Sequence, residues 1–197
     1  MARLTADELA TEGAPAACLQ ALRDATGARD EPMERHTVRC FVIAERLARE
    51  QGCGIDRELL LCASFLHDVG IFAAVATREQ SYVADGRKRA LAVVAPYGWS
   101  AARRRLLGDT IYQHHAHASR EHLGHEVGAA HELDLVDASG GLVTFGLGRA
   151  WLRGLNAAVP RRGLYLLLAR AVGRMLRERP ATLLDVFTPP NRRAPEE

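Results

Sequence analysis

Apolar residues recur at every third or fourth position through most of this 197-residue chain, and two-residue alternation is rare. That period predicts helices. A first one runs over about Ala6 to Ala25 and ends near Gly27. A second covers roughly Met33 to Gln51 and stops at Gly52, with His36, Cys40, Ile43 and Leu47 on one face. Asp56 is a good N-cap for a third, which passes through the apolar run Leu59 to Leu66 and reaches His67, with Gly70 as a left-handed stop. After a looser stretch from Ile71 to Tyr82 the pattern resumes near Arg87 to Ala95 and breaks at Pro96. Ser100 caps the next helix, through Leu107, Thr110, Ile111 and His114. Another covers Glu121 to Asp137 and ends at Gly140-Gly141, and two more fall near Leu142 to Ala158 and Leu164 to Arg179. The polar, Pro-rich tail from Pro189 onward is expected to be disordered. The chain reads as all-α, one compact helical bundle over residues 31–188, with an N-terminal helical segment (1–30) packed on it and a tail at 189–197.

Composition changes this picture little. With 48% hydrophobic and 25% charged residues, the chain has the balance of a globular domain. Its 26 basic residues against 24 acidic ones leave a net charge of +2, which gives no electrostatic reason to expect nucleic acid or an anionic membrane as partner. Cys18, Cys40, Cys53 and Cys62 form no CxxC pair. Together with the lack of a signal-like N-terminus, this predicts a reduced, cytoplasmic protein. The apolar helix Leu164 to Leu176 is read either as core or as part of a homodimer face.

The candidate chemistry lies where polar groups occupy apolar faces. His36, His67 and Asp134 fall on the inward side of three helices by periodicity, and Asp68 follows His67 at the end of an apolar run. A buried carboxylate is costly unless something neutralises it. Two imidazoles and two carboxylates suit one divalent ion, Zn, Mn or Fe, which would supply the compensating charge. A single His on an apolar face is more commonly a hydrogen-bonded core residue than a ligand, so the set carries the argument.

The order of these residues resembles the HD superfamily, named for a His, a later His-Asp pair and a distant Asp. The matching segments are Glu34-Arg35-His36, Phe65 to Gly70 around His67-Asp68, and Glu132 to Asp137. The resemblance implies an all-helical metal-dependent hydrolase with His36, His67, Asp68 and Asp134 as metal ligands. Asp137, three residues beyond Asp134, is placed second as a ligand and first as a residue that orients one. His114 would contact substrate or carry a proton, Asp68 would accept a proton, and Arg161 would bind substrate. His115 and His117 alternate away from His114 and are expected at the surface; His122, His125 and His131 are left open. Dinuclear relatives carry His where this chain has Ile71, so one ion is expected. Relatives that cleave monophosphates carry an acidic residue just after the pair, where Ile71-Phe72 stands here. The layout is nearer the cyanamide hydratase-like branch. The expected activity is therefore attack of a metal-activated water on a small substrate, a phosphate ester or a nitrile-like carbon. The alternatives are a hydratase, lyase or oxygenase on the same scaffold, or a helical ligand-binding module without catalysis.

Overall fold

A computed structural model describes residues 4–27, 31–77, 80–116 and 119–182. Among these residues there are nine α-helices and no strand: α1 Ala6–Leu9, α2 Gly13–Thr26, α3 Glu31–Gln51, α4 Arg57–Leu66, α5 Tyr82–Val94, α6 Ala101–Gln113, α7 His125–Ala138, α8 Arg149–Ala158 and α9 Leu164–Glu178. The all-α class expected from the 3.6-residue period is what the fold shows. No helix among the described residues is long and apolar enough to cross a membrane. The Pro-rich tail lies outside the described residues.

The centre of the molecule is α4. Every residue from Leu59 to Leu66 is buried, so no solvent-facing stripe remains. A helix apolar all round must be covered on all sides, and α2, α3, α5 and α6 pack around it. Its start is set by Asp56, whose side chain accepts the Leu59 N–H at 3.0 Å. Arg103 forks onto both oxygens of the same carboxylate, at 2.6 and 2.8 Å, and reaches Glu58 at 2.7 Å. Its guanidinium also lies 3.8 Å over the Trp99 ring. Arg103 therefore serves structure. The long α3 packs along α7, and α5 packs along α6.

Several boundaries differ from the sequence reading, each for a local reason. The first predicted helix is two, α1 and α2, because Gly13 takes φ +66° where they join. Helix α5 begins at Tyr82, five residues before the expected start, with Ser81 at its N-cap. Glu121–Leu123 is a separate 3-10 turn, divided from α7 by Gly124 at φ 154°. The segment 142–148 is turn and loop, with Gly146 at φ 90°, so α8 starts at Arg149. Gly70 is not a left-handed stop. It lies in a 3-10 turn pressed against the first turn of α5, where a Cβ would stand 2.8 Å from the Tyr82 carbonyl carbon and 3.0 Å from the Gly86 nitrogen. Close approach, not positive φ, is what selects glycine there.

The segment between Gly70 and α5 is held from the far end of the chain. Arg179, just after α9, donates to the carbonyls of Gly70 (2.8 Å), Thr77 (2.9 Å) and Gln80 (3.2 Å) and pairs with Asp85 at 2.8 Å. Asp85 in turn accepts the Thr77 N–H and hydroxyl, both at 2.8 Å. Both charges are buried, and this network satisfies them.

Candidate metal centre

The all-apolar α4 carries its C-terminal residues into the core, so His67 and Asp68 are buried, 3% and 5% exposed. His36 comes from the inward face of α3 and His114 from the C-terminal end of α6; both are buried as well. His36 Nε2 and His67 Nε2 are 3.2 Å apart, and each lies 3.5 Å from Asp68 Oδ2. His114 Nε2 lies 3.5 Å from the other oxygen, Asp68 Oδ1.

The second nitrogen of each ring fixes its proton. His36 Nδ1 meets Asp137 Oδ2 at 2.8 Å, His67 Nδ1 meets the Ser64 carbonyl at 2.8 Å, and His114 Nδ1 meets the Ile111 carbonyl at 2.6 Å. A carbonyl or carboxylate only accepts, so in all three rings Nδ1 carries the hydrogen. In the neutral imidazoles, each Nε2 then presents a lone pair toward Asp68. With His36 neutral, three lone pairs and an anionic carboxylate converge with no proton between them; in the metal-free protein a proton on His36 supplies the positive charge, and a cation can take its place. His114 Nε2 has no well-aligned hydrogen-bond partner although it is buried. Helices α4 and α6 both end at the cluster, and the negative ends of their dipoles add to the demand for positive charge.

A divalent ion fits this demand. Bonds of 2.0–2.1 Å to tetrahedral ligands place the ligand atoms about 3.3–3.4 Å from one another, and the His36, His67 and Asp68 atoms stand 3.2, 3.5 and 3.5 Å apart. The hydrogen-bonded Nδ1 atoms are the arrangement that orients metal-ligating imidazoles.

Protonation follows the same charges. Burial disfavours the charged form of His36, but Cys40 and the bonds to Asp137 and Asp68 outweigh it and raise its pKa well above 6.5. Burial also works against ionised Asp68, yet His67, His114 and His36 hold it well below the usual carboxylate range. Asp137 is held down to about 2: burial opposes this, but the His36 bond and the Arg39 and Arg161 charges prevail.

The two acidic residues of α7 are used differently. Asp137 is completely buried; besides His36 it accepts Arg39 Nε at 2.6 Å and Arg161 Nε at 2.9 Å on its other oxygen. Asp134, one turn earlier, pairs with His115 Nδ1 at 3.1 Å. It is close enough to feel the charges of His114 and Asp68, and His115 and His114 hold it ionised against the cost of burial. Arg161 also reaches Asn156 Oδ1 at 3.3 Å, which leaves Nη2 without a protein partner. It is a guanidinium behind His36, one step removed through Asp137.

Four residues of the site were not singled out from the sequence. His115 was expected at the surface; instead its side chain is 23% exposed and faces Asp134. Helix α6 ends at Gln113, and the turn that follows points His114 and His115 to the same side, which helical periodicity does not anticipate. His117 lies outside the described residues. Cys40 Sγ is 3.6 Å from His36 Nε2; its place four residues after His36 was the available signal. Arg39, in an apolar stretch, is fully buried and bonds the Val159 carbonyl at 2.7 Å as well as Asp137. Tyr82 sits beside His114 and His115, with ring centroids 6.1 and 5.9 Å away, and its phenol feels the Asp68 charge. Burial and the Asp68 and Asp134 charges push its phenol well above 10. Of the residues left open, His125 is at the surface, and His131 is buried with its charged form disfavoured by burial.

No curated protein matches the chain closely enough to count as a relative. The HD domain family matches residues 33–142, more than half of the chain, a span that contains His36, the His67-Asp68 pair, Asp134 and Asp137. HD domains bind divalent metals and are generally metal-dependent hydrolases. The converging imidazoles and carboxylates lie inside the matched segment, and the chain belongs to the HD domain family.

Proposed function

We propose that the protein is a metal-dependent hydrolase that binds one divalent ion through His36, His67, Asp68 and Asp134 and acts on a small molecule. The observation that carries this reading is the convergence of three Nε2 atoms on Asp68, with every Nδ1 already committed to an acceptor elsewhere. When bound, the ion lowers the pKa of a coordinated water and polarises the substrate. His36 and His67 hold their rings ready through Asp137 and the Ser64 carbonyl. Asp134 would complete the set by exchanging His115 for the ion. Asp68, facing His114 with one oxygen, is placed to pass a proton between the attacking water and His114 Nε2. The buried phenol of Tyr82 faces the Asp68 charge. The cluster is buried, so only a small group can reach it.

A phosphate ester is the substrate class to test first, with Arg161 Nη2 as the donor left over for an anion. Hydration of a nitrile-like carbon is the second reading. It is favoured by the residues after the His-Asp pair, where buried Ile71 and half-buried Phe72 stand in place of the acidic residue that relatives cleaving monophosphates carry. The likeness to the cyanamide hydratase-like branch rests on this segment, Val69 to Phe72, together with Asp109 to His114 and Asn156 to Arg161. The experiment is to strip the protein, reload it with zinc, manganese or iron, and assay phosphomonoesters, phosphodiesters, cyanamide and small nitriles beside His67→Ala. Turnover that needs both the ion and His67 supports the proposal; stoichiometric metal with no turnover of any class removes the hydrolase reading.

A further inference from the structure

A second group of metal-ligating side chains lies outside the centre, at the surface. Cys53, Glu121 and His125 each bring a donor atom within 4.8 Å of the other two. They come from three places: the turn between α3 and α4, the 3-10 turn Glu121–Leu123, and the first residue of α7. We propose that these residues form a separate binding site for zinc or a similarly borderline ion, one that braces the α3–α4 turn against the start of α7.

The donor set selects the ion. A thiolate, an imidazole and a carboxylate together suit zinc, whereas magnesium and calcium prefer oxygen alone. His125 Nδ1 already meets Glu121 Oε1 at 3.0 Å, so the imidazole and carboxylate are paired before any ion arrives. The carboxylate either joins the imidazole as a ligand or orients it. Cys53, Glu121 and His125 line one small cavity together with Glu132, whose carboxylate accepts from Gln51 Nε2 at 2.9 Å; water would take the fourth position.

The backbone beneath these side chains is fixed. Gly52 takes φ +70° and the Cys53 N–H returns to the Ala48 carbonyl at 2.9 Å, which sets the direction of Cys53. Glu121 is seated on Gly128, where a Cβ would come within 3.1 Å of the Glu121 Cβ. Glu121 and His125 are exposed and Cys53 is half-buried, so an ion can enter from solvent and the side chains can close the last distance without moving a helix. The consequence reaches the core, because the two segments joined belong to α3, which carries His36, and α7, which carries Asp134 and Asp137.

The proposal does not rest on the reading of the inner centre. It is tested on the full chain, untagged, stripped and titrated with cobalt and then zinc, with metal content by mass spectrometry. Cobalt should give the near-ultraviolet band of a sulfur ligand. Cys53→Ser should lose that band and bind one equivalent fewer than wild type, whatever the inner centre holds. His125→Ala should weaken the site at least about tenfold, and Cys62→Ser, away from both groups, should keep both the band and the stoichiometry. Zinc should raise the melting temperature of wild type more than that of Cys53→Ser. A band absent from wild type, retained in Cys53→Ser or lost in Cys62→Ser, or an unchanged equivalent count in Cys53→Ser, overturns the proposal. Far-ultraviolet circular dichroism of each variant shows whether the fold is intact.

Discussion

Asp137 accepts the Nδ1 proton of His36 at 2.8 Å, joining two residues 101 positions apart, while its other oxygen is shared by Arg39 and Arg161. One carboxylate therefore sets the ring orientation of a candidate ligand and neutralises part of two guanidinium charges. Asp137→Asn keeps the shape but surrenders charge, and should weaken metal binding by about 10- to 100-fold with the fold retained. Asp137→Ala leaves Arg39 buried without its partner and should cost about 3–5 kcal/mol. Metal titration of the first variant and denaturant melts of the second check the pair. Equal metal affinity in wild type and Asp137→Asn would refute the orienting role.

Proton competition gives a pH prediction. In the metal-free protein the His36 pKa is raised above 6.5, so the stability it contributes is fully present below 6.5 and lost as pH rises through the raised value. An ion takes the place of that proton. Metal affinity should therefore fall by about tenfold per pH unit below the raised value. The difference in melting temperature between loaded and stripped protein should widen as pH increases, and a gap independent of pH would contradict the assignment. Asp137 acts at the other end of the scale. Its stabilisation is present above the unfolded pKa of about 3.9 and is lost as pH falls toward about 2.

Tyr82 gives a test of the Asp68 arrangement that spares the ligands. Removing its hydroxyl takes away a polar group that faces the Asp68 charge. Tyr82→Phe should retain a full equivalent of metal and change stability by only about 1 kcal/mol. Once a substrate is found, kcat should fall about tenfold, which corresponds to about 1.4 kcal/mol. Loss of metal in this variant would show that the hydroxyl supports the centre rather than the proton path.

The Arg179–Asp85 pair predicts a stability effect far from the centre. Arg179→Ala leaves Asp85 buried and frees the carbonyls of Gly70, Thr77 and Gln80. The expected loss is about 3–5 kcal/mol, with faster proteolysis between Ile71 and Ser81. Arg179→Lys cannot span four acceptors and should recover only part of it. Unchanged proteolysis in Arg179→Ala would show that the segment is held by its own contacts.

Gly70→Ala should be worse tolerated than alanine at Gly27, since the added methyl group collides with the backbone of Tyr82 and Gly86, while nothing lies within 4 Å at Gly27. Soluble yield and melting temperature decide this. A stable Gly70→Ala variant would mean that the 3-10 turn can separate from α5.

The local chain determines a good deal here. The apolar run Leu59 to Leu66 places the His-Asp pair inside before any fold is known, because a helix with no polar face has nowhere else to put its end. The spacing of His36 on α3 and of Asp134 and Asp137 on α7 is equally local. The boundaries set by Asp56, Gly52 and Ser100 follow from side chains that cap, or glycines that end, a helix within a few residues. Tertiary structure decided what these groups touch. Asp137 rather than Asp134 meets His36, because the crossing of α3 over α7 brings that turn of the helix opposite the imidazole. His115 turns inward because α6 has already ended, so the 100° step of a helix no longer separates it from His114. Tyr82 and Arg179 act at a distance, through a loop and a chain end whose positions depend on what they pack against. Periodicity carries the direction of a side chain relative to its own helix. Distances between helices depend on the packing of all of them at once.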